Sequence, residues 1–382
     1  MNNGYAMADS VKQGAGLRNV VAGESSISSI DGERGVLAYR GIDIHALGEQ
    51  STFEEVAFLL HRGKLPTRAE LGAFTQELAR ARAVPAQTLS ILKLFPASTH
   101  PMTSLRSVVS AMGAFDPDGG DDSPPANARK ALRLNAQMAT LVALVERVRK
   151  SRDPVPPDPA LSHAANFLYM LAGERPGPEA ERAMDVALIL HADHEFNAST
   201  FAARVAASTL ADVHGAITAA LATLKGPLHG GANEAVMKML EEIGRPERAE
   251  GWIREALAAK KKIMGFGHAV YRTEDPRATH LRRMSRQLGE VQGDGRWYDL
   301  SERIEALVRA QKGLNANVDF YSASVYHSLG IPTDLFTPVF AVSRVAGWTA
   351  HVLEQLGNNR LIRPESEYTG PRDVEYVPLN RR

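Results

Sequence analysis

Three segments of this 382-residue chain hold histidine in company that could do chemistry. Two set it beside glycines, in Gly226-Pro-Leu-His229-Gly-Gly and Gly265-Phe-Gly-His268, and the third is His191-Ala-Asp-His194-Glu. Glycine lets a backbone approach a ligand closely, which raises His229 and His268 above ordinary structural histidines. His229 is followed by Gly230, Gly231, Ala232 and Asn233 and then by an apolar stripe, so it lies just before a helix N-terminus. The positive end of a helix dipole disfavours imidazolium. A neutral imidazole there can donate an N–H to an oxygen that gains negative charge. A loop histidine capping the helix fits the same residues equally well.

His268 follows Lys260-Lys-Lys262 and precedes Arg272. The lysines suit a helix C-terminus, while Arg272 and the exposed Gly265-Phe-Gly267 amides could together hold a phosphorylated ligand. No Gly-Lys-Ser/Thr follows, so this is not a P-loop. Asp275-Pro276-Arg277 reads as N-cap, N1 and N2 of a new helix, which keeps Arg277 near the His268 loop and able to clamp a carboxylate. Asp319, between Val318 and Phe320, is a candidate base if desolvation raises its pKa, and otherwise a helix cap. His191 and His194, three apart, extend the apolar face of a helix bearing Met184 and Leu188. With no His-Glu-x-x-His and no thiolate, the expectation is no metal, and polar residues lining a cavity fit better. A metal-dependent hydrolase using His191, His194 and His229 is the distant alternative.

The elements that must position these residues are helices. Thr67 with Glu70 fits a capping box ahead of Leu71, Phe74 and Leu78. Pro101 suits the first turn of a helix stopped by Gly113, Val236, Leu240 and Ile243 form a stripe ending at Gly244, and Asp299 with Glu302 predicts a second box. Strand signals are confined to Ser25–Ile30 and Val36–Tyr39, around an Asp31-Gly32 turn. Asp116–Pro125 and the four prolines within Asp153–Pro159 read as surface loops between helices. The class is all-α with a minor N-terminal β element.

Lys plus Arg and Asp plus Glu number 44 each, so no overall charge argues for nucleic acid or an anionic membrane. There is no cysteine, which removes disulfides and thiol nucleophiles. Met1 to Gly16 lacks the pattern of a signal or transit peptide, with Met7 a possible second start, and no apolar run is long enough to span a bilayer. A cytoplasmic protein is expected.

The motifs together resemble the citrate synthase family. Gly226-Pro-Leu-His229-Gly-Gly-Ala-Asn-Glu, Gly265-Phe-Gly-His268-Ala-Val-Tyr-Arg and Asn317-Val-Asp319 are similar to its three catalytic segments. His191-Ala-Asp-His194-Glu-Phe-Asn, Val342-Ser-Arg344 and Arg363-Pro-Glu-Ser look like its substrate-binding segments. The likeness runs from about Ser25 to Gly370 and is to the shorter, prokaryotic branch, which includes 2-methylcitrate synthases. It implies Asp319 as base, His229 as donor to the thioester oxygen and His268 as donor to the oxaloacetate carbonyl. It implies His194, Arg277, Arg344 and Arg363 as oxaloacetate ligands, with Arg363 supplied across a homodimer interface. Lys262, Ile263, Met264, Gly265, Phe266, Gly267 and Arg272 would contact CoA, which is substrate, so that no cofactor is needed. The implied fold is a large helical domain (1–224 and 323–382) with an inserted small mobile domain (225–322). Tyr271-Arg272 favours acetyl-CoA over the propionyl-CoA of a 2-methylcitrate synthase.

Overall fold

Helix predominates, as the spacing of apolar residues requires. The computed structural model describes Leu17 and residues 20–382, and the choice of Met1 or Met7 as start lies outside them. Sixteen α-helices and one three-stranded sheet are formed among the described residues. The strands are β1 (Ser28–Asp31), β2 (Val36–Tyr39) and β3 (Ile42–Asp43), antiparallel in that order, with Ser28 opposite Tyr39 and Asp31 opposite Val36. The Asp31 carboxylate closes the β1–β2 turn by accepting the Glu33 and Arg34 N–H groups. The sheet is pinned to the segment that carries His194. Tyr39, fully buried, donates its hydroxyl to the Asp193 carbonyl at 3.0 Å, and the Ile30 N–H donates to Glu195 Oε1 at 2.6 Å.

The centre of the molecule is the helix Phe336–Gly357, apolar on nearly every face and correspondingly buried on nearly every face. Helices Phe53–Arg62, Pro124–Arg149, Pro178–His191, Ala198–Ser208 and Val213–Leu224 surround it. Its Gly347 donates its N–H to the Ala192 carbonyl at 3.0 Å, bringing this helix against the His194 segment without an intervening side chain. A second group packs largely upon itself: Ala232–Ile243, Pro246–Ala258, Pro276–Gln292, Arg296–Lys312 and Val318–Ser328. No described helix is long and apolar enough to cross a membrane.

Local chemistry sets most helix ends as anticipated. Thr67 and Glu70 form a reciprocal capping box, Pro101 opens its helix, and Asp275 caps Pro276–Gln292 by accepting the Arg277 N–H. Two expectations fail. The Asp299–Glu302 box does not form, because the helix begins three residues earlier at Arg296, with Gly295 as cap. That early start buries Trp297 alongside Leu300, and Asp299 instead adds a favourable charge in the first turn. The helix bearing Met184 ends at His191, so His194 lies beyond it rather than on its face.

A Cβ on Gly347 would run into Asp193 Oδ1 and the Ala192 carbonyl. Gly347→Ala is expected to cost about 1–3 kcal/mol through overpacking, read as a lower urea midpoint at unchanged slope. An unshifted midpoint would contradict the close approach.

Candidate active site

The site begins with two irregular stretches held side by side. Phe266 bridges Ala316, the Gly267 N–H donates to the Asn315 carbonyl (3.0 Å), and the Asn317 N–H donates to the Gly265 carbonyl (2.9 Å). Asn317 fastens both stretches with its side chain. Its Nδ2 donates to the Gly267 carbonyl at 2.9 Å, and its Oδ1 caps helix Val318–Ser328 by accepting the Asp319 N–H at 3.0 Å. One amide thereby ties His268 to Asp319. Gly265 has φ +83°, and a Cβ there would lie 2.8 Å from Phe320 Cδ2 and 2.9 Å from Val236 Cγ2. Only glycine fits that position.

The histidines are held neutral with defined donors. His268 Nδ1 accepts the Val270 and Tyr271 N–H groups at 3.0 and 3.2 Å, which leaves the proton of the neutral ring on Nε2. Burial pushes its pKa down to about 4, and the Arg277 charge adds to this. His229 Nε2 faces Ser199, 2.8 Å from Oγ and 3.3 Å from the N–H that can donate to it. The Ser199 Oγ accepts from Trp348 Nε1 at 3.1 Å and can donate to Asn197 Oδ1 at 2.8 Å, so it is the backbone N–H of Ser199 that makes His229 Nε2 an acceptor. With Nε2 as acceptor, Nδ1 of His229 carries the proton. Burial lowers this ring to about 4, with help from Arg344. His229 is thus a neutral donor just before a helix start, as the sequence led one to expect, with burial among the reasons. His194 packs edge-on against His268, with ring centroids 5.4 Å apart, and its Nε2 meets the Tyr271 hydroxyl at 3.2 Å. Burial and the nearby Arg277 and Arg344 hold it well below the usual imidazole range.

Charge enters through two buried arginines and two carboxylates. Arg277 pairs with Asp275 through Nε (2.9 Å) and Nη2 (2.8 Å). Burial works against the Asp275 charge, yet Arg277 holds its carboxyl below the usual range. Asp275 Oδ2 also accepts the Val318 N–H at 3.1 Å, joining the starts of the two helices that carry Arg277 and Asp319. Arg344 donates Nε to the His191 carbonyl at 2.6 Å, and burial brings its guanidinium down to about 10. Both Nη groups of Arg344 have no protein acceptor among the described residues and remain for a ligand carboxylate. The Asp319 carboxylate has no hydrogen-bond or ion-pair partner among the described residues. Burial raises it to about 6, against the pull of Arg277. It is ionised at neutral pH and more basic than an ordinary carboxylate. The arrangement offers one base, two neutral N–H donors and two arginines around one space, which suits proton removal next to a carbonyl of an anionic substrate.

A family profile described as "Citrate synthase, C-terminal domain" matches residues 16–365. The chain is 53% identical over 368 residues to citrate synthase 2 of Bacillus subtilis, covering 96% of this chain and 98% of that protein. It is 43% identical over 380 residues to a 2-methylcitrate synthase of Shewanella oneidensis, covering 98% and 100%. A solved ternary complex of Thermoplasma acidophilum citrate synthase with carboxymethyl coenzyme A and oxaloacetate superposes with TM-score 0.89 at 34% identity, covering 95% of this chain and 98% of that one.

The chain belongs to the citrate synthase family. It is therefore an enzyme of the acyltransferase class. The metal-dependent hydrolase reading of His191, His194 and His229 is overturned by this membership. The local geometry gives a reason for the error. His191 donates Nδ1 to the Ala187 carbonyl at 2.8 Å and turns its ring onto Phe340, whereas His194 turns toward Tyr271 and His268.

Among the family motifs, His194, His268, Arg277, Arg344 and Asp319 converge, and Arg344 acts on His229 as well. Arg363 does not join them within the chain. It is exposed on the segment after Phe336–Gly357, lining an apolar cleft of about 550 Å³ with Val20, Phe196 and Phe201. Around the Ile263–Gly267 loop, Ile263 and Phe266 are buried, Met264 is half-buried, and Lys262 and Arg272 are exposed. Arg272 is anchored by its N–H to the Gly32 carbonyl at 2.9 Å. Beside it, Gly267, His268, Thr273, Leu314 and Asn317 help line a cavity of about 180 Å³. Sequence reasoning missed Ser199, Tyr271 as a partner of His194, the fastening role of Asn317 and the second bond of Asp275. Ser199 lies thirty residues from His229 and carries no local signal.

Asn317→Ala is expected to lower turnover by about 10²-fold, since it frees two reacting groups at once. Steady-state kinetics with a thermal melt on the same sample would check this. Turnover within about threefold of the parent would mean that Asn317 is only a cap, worth about 1 kcal/mol of stability.

Proposed function

We propose that this protein is a citrate synthase proper, condensing acetyl-CoA with oxaloacetate to give citrate and CoA. The observation that carries the reading is the set of protonation states: a desolvated carboxylate at Asp319, with unshared N–H donors on His229 and His268. Asp319 takes a proton from the acetyl methyl. His229 Nδ1–H hydrogen-bonds the thioester oxygen as the enol forms, a kind of stabilisation worth about 3–4 kcal/mol. The enol carbon then attacks the oxaloacetate carbonyl, whose oxygen receives a proton from His268 Nε2. Water cleaves the resulting citryl thioester. Each covalent change is between substrate atoms and side chains, so no resident cofactor is called for.

His194, Arg277 and Arg344 would hold oxaloacetate in one protomer, with Arg363 contributed by the other protomer of a homodimer. Support for the dimer comes from exposed Leu361, Tyr368, Val374, Tyr376 and Leu379 on the segment carrying Arg363, apolar groups that a second copy could cover. Lys262, Arg272 and the loop Ile263-Met264-Gly265-Phe266-Gly267 would receive CoA. Residues 225–322 would form a small domain that closes on the large domain 1–224 and 323–382, keeping water from the thioester until the carbon–carbon bond has formed. Position 322 falls within helix Val318–Ser328, so the C-terminal hinge would lie at one end of that helix rather than at 322 itself. We place the protein in the cytoplasm.

The second reading is 2-methylcitrate synthase, favoured by the 43% identity to one. One methylene contributes only about 1–3 kcal/mol to discrimination, so both acyl groups are expected to react and the ratio decides. We expect kcat/KM for acetyl-CoA to exceed that for propionyl-CoA in steady-state assays, with Asp319→Ala inactive on both. The opposite ratio would make the protein a 2-methylcitrate synthase, and an active Asp319→Ala would remove the mechanism.

Mixing inactive Arg363→Ala with inactive Asp319→Ala subunits is expected to restore about one intact site per heterodimer, since each lesion can fall in the same shared site. No recovery of activity on mixing would place Arg363 and Asp319 in one protomer's site.

A further inference from the structure

We propose that His45 and His280 are positioning residues for Arg277: a hydrogen bond between their two neutral rings seats the helix that carries Arg277, and protonation of either ring unseats it. The inference rests on the reading of Arg277 as an oxaloacetate ligand. His280 lies three residues after Arg277 on Pro276–Gln292, and His45 lies on Ile44–Gln50, which packs against both Pro276–Gln292 and Pro178–His191. His45 Nδ1 is 2.8 Å from His280 Nε2, with ring centroids 5.0 Å apart. Arg283 Nη2 stands 3.4 Å from His280 Nδ1. A guanidinium only donates, so His280 Nδ1 accepts, its Nε2 carries the proton, and that proton goes to His45 Nδ1. This is one consistent tautomer. A second proton on His280 would face Arg283, and a proton on His45 Nδ1 would face the Nε2–H of His280.

On the His280 side little room is left to relieve that conflict. A Cβ on Gly48 would lie 3.3 Å from His280 Cε1, so the helix backbone of Ile44–Gln50 rests directly against the His280 ring. His280 is buried and His45 exposed, so protons reach the pair from solvent. Glu49 and Asp43 face the pair from the His45 side and favour its charged form. Arg182, from Pro178–His191, is occupied with the carbonyls of Gly48 and Glu49, and Leu190 is the apolar neighbour on that helix. Helices Val318–Ser328 and Arg296–Lys312 meet Pro276–Gln292 elsewhere, where Ser285 bonds Ser324 and Arg282 pairs with Glu305. Burial, followed by His45 and Arg283, outweighs the acids and lowers His280 to about 4. The sign follows from linkage. The contribution of the neutral ring is complete above the ordinary imidazole value of about 6.5 and is lost as the pH falls toward about 4.

The test is oxaloacetate affinity measured by titration calorimetry on the full chain without acyl-CoA, so that Asp319 takes no part as a base. The parent's Kd is expected to rise about fivefold between about pH 8 and about pH 5.5. His45→Ala, a change at an exposed position, is expected to bind about fivefold more weakly at about pH 8 and to lose that pH dependence, with kcat at saturation unchanged. His45→Asn keeps an acceptor where Nδ1 was, and is expected to restore the parent's affinity at the higher pH and to keep the acid response that His280 supplies. A His45→Ala protein with the parent's Kd and pH profile would overturn the proposal. Oxaloacetate binding unchanged in Arg277→Ala would instead overturn the role of Arg277 on which it rests.

Discussion

Two helix N-termini meet inside this protein, at Pro276 and at Val318, and a buried helix start cannot leave its amides unpaired. Asp275 answers for both. Its carboxylate accepts the Arg277 N–H of its own helix and the Val318 N–H of the other, and it takes the Arg277 guanidinium as counter-charge. Such an ion pair is costly to bury and costlier to break, because either partner alone would be an uncompensated charge. The position of Arg277 relative to Asp319 is thereby set, and Asn317 extends the same constraint to His268.

Dehydration then decides the chemistry available. His268 and His229 are both brought to about 4, and Asp319 is raised to about 6, by burial first and neighbouring charges second. Imidazoles that stay neutral can donate without carrying charge, and a carboxylate deprived of water is a better base than one in solution. Each of these states opposes folding to some degree, since the same groups would be more comfortable hydrated. Stability for the arrangement comes from elsewhere, chiefly the largely buried helix Phe336–Gly357 and the helices wrapped on it.

Local signals were legible where local physics decides. The Thr67–Glu70 box, Pro101 and Asp275 each acted as written, because a cap is satisfied within a few residues. The Asp299–Glu302 box was equally well written and failed, since burying Trp297 shifted the helix start. His194 reads as an extension of a helical face, yet the chain breaks after His191 and passes through Glu195 with φ +51°. In each case a tertiary contact outweighed a propensity worth about 1 kcal/mol or less.

The sequence by itself determined the class, the family and the identities of the candidate base and donors, through six motifs whose residue types are visible without coordinates. Only the tertiary structure decided that the proton of neutral His229 falls on Nδ1 and that of His268 on Nε2, since a tautomer depends on what the other ring nitrogen meets. Ser199 and the Val270 and Tyr271 amides supply those partners. Likewise, a helix dipole is a local reason for a neutral His229, whereas its burial and the nearby Arg344 are causes that only packing supplies. Dehydration depends on everything packed around a group in three dimensions, and no local stretch of sequence encodes it.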